Sequence, residues 1–229
     1  MNHPVQLITE EKSHGMYLTK RQIDLPICWL KEESKKGEKV GILLMNCLEW
    51  LPIYFGILKT GALAVPLNFR YSADEIKYCV ELAEIDILVF GPEFIGRVEE
   101  IADEISKGRL LYFVGDGCPG FAEDYNAHTA NCSSQSPKID VNDDDDAAIY
   151  FSSGTTGFPK AILHNHESLM HAAKAEQNHH GQTKDDVLFV YSAVVSYRSQ
   201  DALVWQSSDW WKGSIVKRNK SKDNFTGCI

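Results

Sequence analysis

The densest chemistry in the 229 residues lies in one short stretch, Phe151-Ser152-Ser153-Gly154-Thr155-Thr156-Gly157-Phe158-Pro159-Lys160. Gly154 and Gly157 let the backbone come close to a ligand, the hydroxyls of Ser152, Ser153, Thr155 and Thr156 offer donors, and Lys160 supplies a positive charge. Together these suit a loop that wraps phosphate oxygens. The loop differs from the usual ATPase phosphate loop, which has four residues between its glycines and a Lys-Ser or Lys-Thr pair after the second. Here only Thr155 and Thr156 separate the glycines, and Ala161 follows Lys160. A Ser/Thr/Gly surface turn is the plainer alternative. The context favours the phosphate loop: an apolar strand at 147–151 leads directly in, Pro-Lys leads out, and 162–164 reads as a second strand.

Other groups with possible chemistry are weaker. His164, His166, His171, His179 and His180 cluster in sequence, and a His-x-His pair can bind a metal. His179 and His180 have a plainer role at a helix end beside Gly181, where an imidazolium suits the helix dipole. The acidic run 140–146 reads as a solvated lead-in to the strand rather than a metal site. Cys28, Cys47, Cys79, Cys118, Cys132 and Cys228 are scattered with no C-x-x-C pair, so neither a zinc site nor a redox motif is indicated.

The elements that must position the loop follow from periodicity. Residues 40–45 form an apolar run that suits a buried strand. In 49–59, Trp50, Ile53, Tyr54, Ile57 and Leu58 fall at helical spacing, and Gly61 sits where a helix would end in the left-handed conformation. A strand at 62–66 follows. Ser72 and Glu75 have capping-box spacing, which starts a helix running to about Ala83. Strands at 85–90 and 110–114 flank a helix at 94–106 carrying Val98, Ile101 and Ile105. This alternation predicts an α/β fold, a largely parallel sheet flanked by helices, whose short strands look uniformly apolar because both faces are covered. Residues 115–137 show no period and read as a surface connection, and residues 20–33 show no clear element of their own but resemble an opening helix that Pro26 interrupts.

Bulk composition narrows the partners. A hydrophobic content of 44% supports a real core, and a net charge of -9 with a pI near 5.4 argues against a nucleic-acid backbone or an anionic membrane surface as partner. No apolar run approaches the roughly 20 residues that span a bilayer, and the first residues lack the order of a signal peptide, so the expected location is cytoplasmic. Oligomeric state is not legible.

Residues 151–160 resemble the signature loop of the adenylate-forming superfamily. The resemblance extends back through Gly37-Glu38-Lys39-Val40, Asn46 with Glu49-Trp50, Leu58-Lys59-Thr60-Gly61-Ala62 and Val65-Pro66-Leu67-Asn68, and forward to His166 and its helix. Within the superfamily the chain is most similar to AMP-forming acyl-CoA synthetases. The fold this implies is the N-terminal part of the large domain. The resemblance implies that Ser153, Gly154, Thr155, Thr156, Gly157 and Lys160 hold ATP phosphates, with Thr156 near Mg²⁺. ATP, Mg²⁺ and coenzyme A are the implied cofactors. A carboxylic acid, expected to be fatty, is the implied substrate, converted to an acyl-adenylate and then a thioester. An aryl-CoA ligase, a luciferase-like oxidase, a peptide-synthetase adenylation module and a non-catalytic nucleotide-binding fragment remain alternatives. Ala161 departs from the family pattern, which has Gly there; this matters only if the backbone needs positive φ.

From Leu188 onward the pattern stops resembling the family. Codons permitted for residues 190–198, read one base later, encode Cys-Ile-Pro-Pro-Leu-Tyr-His-Thr, the phrase the family has at this place. Continued to residue 217, they encode Gly-Ala-Lys-Met-His-Trp-Phe-Gly-Ser-Leu, two variable positions, then Gly-Gly-Lys-Gly-Val-Leu-Leu. The expectation is a partial N-terminal AMP-binding domain over 1–187 and an out-of-frame, non-native tail over 188–229, with a chain that is incomplete and inactive alone. No catalytic residue is assigned within it.

Overall fold

The computed structural model describes residues 35–47, 49–130, 139–152, 158–181, 189–190 and 214–215. The expected helix at 20–33 lies outside them. A seven-stranded sheet has the order β5-β4-β3-β1-β2-β6-β7. β1 (Lys39–Leu43) pairs in parallel with β2 (Leu63–Pro66) on one side and β3 (Ile87–Phe90) on the other. β4 (Leu110–Phe113) and β5 (Glu123–Asp124) extend the sheet in parallel beyond β3, and β6 (Asp146–Ser152) joins β2 in parallel. Only β7 (Lys160–Asn165) is antiparallel, paired with β6. β8 (Phe189–Val190) and β9 (Ser214–Ile215) form a separate parallel pair.

Helices cover both faces. On one face lie α1 (Trp50–Lys59) and α5 (His166–His180); on the other lie α2 (Ala73–Leu82) and α3 (Ile95–Ile105), the latter entered through a 3₁₀ turn at Pro92–Phe94. The helical spacing read in the sequence is the reason. Trp50, Ile53, Tyr54 and Ile57 pack with Val40, Ile42, Ala64, Ala148 and Tyr150, and with Leu169 and Ala173 of α5. Ile76, Cys79 and Val80 pack with Leu43, Val65, Leu88 and Phe90, and with Val98, Ile101 and Ile105 of α3. Adjacent strand residues thus feed opposite cores, which explains the fully buried runs in β2 and β3. The chain leaves β1 toward β2, then crosses back over β1 to β3, and the helices change face with the change in direction, as right-handed crossovers require.

Local signals hold where they were specific. Gly61 takes φ +71 just past α1, and Gly181 takes φ +63 past His180. Both bonds of the Ser72 to Glu75 capping box are present. The 115–137 stretch is corrected in part: it contains β5 and a short helix, α4 (Tyr125–Ala130). Elements of two and six residues are too short for a period to register. They are held instead by a local bond from the Ala127 amide to Asp124 Oδ1 at 3.0 Å and by Tyr125, which is buried beside Tyr112 and Val114.

Candidate phosphate-binding site

The β6–β7 hairpin sets the geometry. Its register runs Ile149↔Leu163, Tyr150↔Ile162 and Phe151↔Ala161 to a closing pair, Ser152↔Lys160, from which 153–159 departs. Because β6 is parallel to β2, this hairpin mouth lies at the carboxyl edge shared by β1 to β4, where open α/β sheets place their ligands. Ser153, Gly154, Thr155, Thr156 and Gly157 lie outside the described residues. What is fixed is the pair of chain ends that carries them.

On the departing side, Tyr150 is buried among α1 and α5, and its hydroxyl lies 2.6 Å from that of Tyr54, which stacks on Trp50 at 5.4 Å. Alternation along β6 puts Ser152 on the same face as Tyr150, and cross-strand pairing puts Lys160 there too. Lys160 is exposed and makes no ion pair with any described residue. Ala161 is strand residue, exposed, and not among the residues with positive φ. The methyl that distinguishes it from Gly therefore meets no backbone strain. On the returning side, the Phe158 ring lies 4.8 Å from that of Tyr78 on α2.

The helix that follows β7 does not add an anion site. Its amides are already used: His166 N donates to Asp145 O at 3.1 Å, Glu167 N to Asp143 O at 2.8 Å, and Ser168 N to the capping Asn165 Oδ1 at 2.9 Å. Since β7 runs antiparallel, this helix start lies at the amino edge of the sheet, opposite the hairpin mouth. There Lys36 Nζ donates to Asp145 Oδ2 at 2.6 Å and to Asp140 O at 3.1 Å, tying the entry of β1 to the entry of β6. An Asn142 amide bond and the Lys36 bond hold the Asp145 carboxyl below its ordinary pKa. His166 Nε2 is buried without a hydrogen-bond partner, and burial depresses its pKa against the opposing pull of Asp145 and Asp143.

The histidines that cluster in sequence are spread by the fold. His164 sits in β7 with its ring 5.3 Å from Tyr150, His171 faces Glu167 at 3.7 Å, and His179 and His180 end α5. No group of three His, Cys, Asp or Glu side chains converges among the described residues. The coupling of Tyr54 to Tyr150 and of Phe158 to Tyr78 had no sequence signal, since each joins positions far apart in the chain.

The family model described as AMP-binding enzyme matches residues 28–197. The chain belongs to that family. Among AMP-binding enzymes it is 31% identical over 164 residues to the 3-hydroxybenzoate--CoA/4-hydroxybenzoate--CoA ligase of Thauera aromatica, covering 69% of this chain and 31% of that protein. It is 28% identical over 141 residues to the long-chain-fatty-acid--CoA ligase FadD13 of Mycobacterium tuberculosis, covering 61% and 27%. This AMP-binding chain thus spans about a quarter to a third of the curated relatives it matches. Its fold matches the anthranilate CoA ligase AuaEII in complex with anthranoyl-AMP at a TM-score of 0.80, with 23% identity over 88% of this chain and 40% of that one. ATP-bound MatB from Rhodopseudomonas palustris matches at 0.78, with 23% identity over 95% and 43%. Among the described residues, no helix is long and apolar enough to cross a membrane.

Proposed function

We propose that this protein supplies the ATP-phosphate grip of an acid–CoA ligase, which activates a carboxylic acid, expected to be fatty, as its acyl-adenylate and then forms the CoA thioester. The observation that carries this reading is the hairpin mouth. Its closing pair, Ser152↔Lys160, sets the two ends of the Ser/Thr/Gly connection at the carboxyl edge of a largely parallel sheet. In this reading Ser153, Gly154, Thr155, Thr156, Gly157 and Lys160 hold the β- and γ-phosphates. The carboxylate oxygen attacks the α-phosphorus, the bond to pyrophosphate breaks, and the thiol of coenzyme A later displaces AMP from the acyl carbon. Two anions must meet in line, so the main task of these residues is to neutralise and fix the triphosphate. Mg²⁺ held by the phosphates and Thr156 would add charge neutralisation. An aryl acid is the second reading, favoured by the hydroxybenzoate ligase match.

Residues 188–229 are taken in this proposal as translation in a shifted frame, and the acyl pocket and adenine contacts as lying outside 1–187. The test pairs this chain with the version encoded after removing one base near the Val187 codon. Both receive Mg-ATP, coenzyme A and a panel of fatty and aryl acids, with Lys160→Ala as control. Acid-dependent pyrophosphate release by the corrected version, lost in the control, supports the reading. Release by neither version, with no ATP binding to folded protein, overturns it. Resequencing the gene tests the slip itself: an intact ligase frame with no extra base sinks it.

A further inference from the structure

We infer that Phe158 is a positioning residue for Lys160, acting through its ring contact with Tyr78. The inference rests on the phosphate-gripping reading of the hairpin mouth for its functional consequence, though not for its structural one. Ser152↔Lys160 is the last pair of the β6–β7 ladder, and β7 is an edge strand of the seven-stranded sheet. A terminal pair on an edge strand is where a ladder frays, because no further bond follows it and one side has no neighbouring strand. Lys160 would then lose its fixed place unless the chain just before it is tied down. Phe158 supplies the tie. It is 53% exposed, a large apolar side chain that has found one ring partner, Tyr78, at 4.8 Å and a 42° tilt.

The helix beneath Tyr78 is anchored at several points. α2 starts at a complete capping box, and its Ile76, Cys79 and Val80 are buried in the core. Arg97 of α3 donates to Phe69 O at 2.9 Å and to Tyr71 O at 2.7 Å, fixing the chain that enters α2. Lys77, beside Tyr78, bonds Glu104 of α3. A contact made to such a helix transmits its position to the strand end. The division of faces suits the role: Tyr78 belongs to the α2/α3 side, whereas Lys160 shares the α1/α5 side with Ser152 and Tyr150. The tie therefore holds the backbone on one face and leaves the Lys160 side chain free on the other.

The test measures amide exchange across 159–165 and Mg-ATP affinity on the full chain for wild type, Phe158→Ala, Tyr78→Ala, the double variant and Phe158→Tyr. Urea midpoints are recorded for each. Both single alanine variants are expected to speed exchange at whichever of the adjacent Lys160 and Ala161 amides faces β6, while leaving that of β1 to β3 unchanged. The double variant should add nothing to either single one, and Phe158→Tyr should restore slow exchange. Mg-ATP affinity should fall by about 2- to 12-fold, from the usual worth of an aromatic pair at tenfold per 1.4 kcal/mol. Unchanged exchange at that β6-facing amide, or additive effects of the two substitutions, overturns the positioning role whatever the nucleotide does. If Tyr78→Ala fails to fold, Tyr78→Leu replaces it under the same criteria. Expected exchange effects together with no Mg-ATP binding by any form, the version encoded after removing one base near the Val187 codon included, would leave the tie standing and remove the phosphate-gripping reading.

Discussion

Replacing Gly61 by Ala tests how the end of α1 is coupled to the entries of the first and sixth strands. Gly61 holds φ +71, donates its amide to Leu58 O at 3.3 Å and accepts from Gly37 N at 2.9 Å. A side chain in that left-handed conformation costs about 1–2 kcal/mol. Narrowing the unfolded ensemble returns about 0.4–1 kcal/mol, so the backbone effect alone nets to about 1 kcal/mol. The new Cβ also comes within 3.0 Å of Lys36 Cγ, a flexible stem that can yield. Yielding disturbs the Lys36 Nζ bonds to Asp145 at 2.6 Å and Asp140 O at 3.1 Å. That ion pair has side chains 45% and 24% exposed, so solvent screens it and its loss adds less than the backbone effect. Urea denaturation should therefore show Gly61→Ala destabilised by about 1 kcal/mol, Lys36→Ala by less, and Gly61→Asn by less than Gly61→Ala because Asn tolerates this conformation better. Equal stability of Gly61→Ala and wild type, or a Lys36→Ala loss as large as that of Gly61→Ala, would refute the reasoning.

Lys160→Ala should weaken Mg-ATP binding by roughly 10- to 150-fold, the worth of about 1.5–3 kcal/mol for a charge-assisted bond, without moving the urea midpoint; unchanged affinity in calorimetry would remove Lys160 from the site. Burial depresses the pKa of both His166 and His164 below the ordinary 6.5, so their stability contribution is full above that value and declines as pH falls from it toward the folded values. The carboxyl of Asp145, also depressed, adds a second loss only below its ordinary 3.8. Urea midpoints measured between neutral and mildly acid pH should therefore fall, and His164→Gln with His166→Gln should flatten that decline. Ser72→Ala removes the oxygen that accepts from Glu75 N at 3.3 Å and should cost about 1 kcal/mol, read by the same denaturation. A cost below about 0.3 kcal/mol would show that the cap is idle in the intact fold.

Much of the fold was legible because the informative patterns are local. Ser72 with Glu75, the spacing of Trp50, Ile53, Tyr54 and Ile57, and glycines at 61 and 181 each act over one or two helical turns. The β5–α4 segment was missed because its few residues are held by a tertiary burial, that of Tyr125, rather than by a period. The five histidines, near one another in sequence but weak as metal ligands by their context, are pointed to separate places by a strand followed by a helix.

By itself the sequence determined the alternation that makes a parallel sheet and membership of the AMP-binding family, and it raised the expectation of a phosphate-gripping loop. These depend on residue type and short-range spacing, which the chain carries without folding. Strand order, the antiparallel turn of β7, the placement of Lys160 opposite Ser152, and the contacts of Tyr54 with Tyr150 and Phe158 with Tyr78 were decided only in the tertiary structure. The reason is that each joins segments whose approach is selected by burial of two sheet faces at once, a condition that no single stretch of sequence contains.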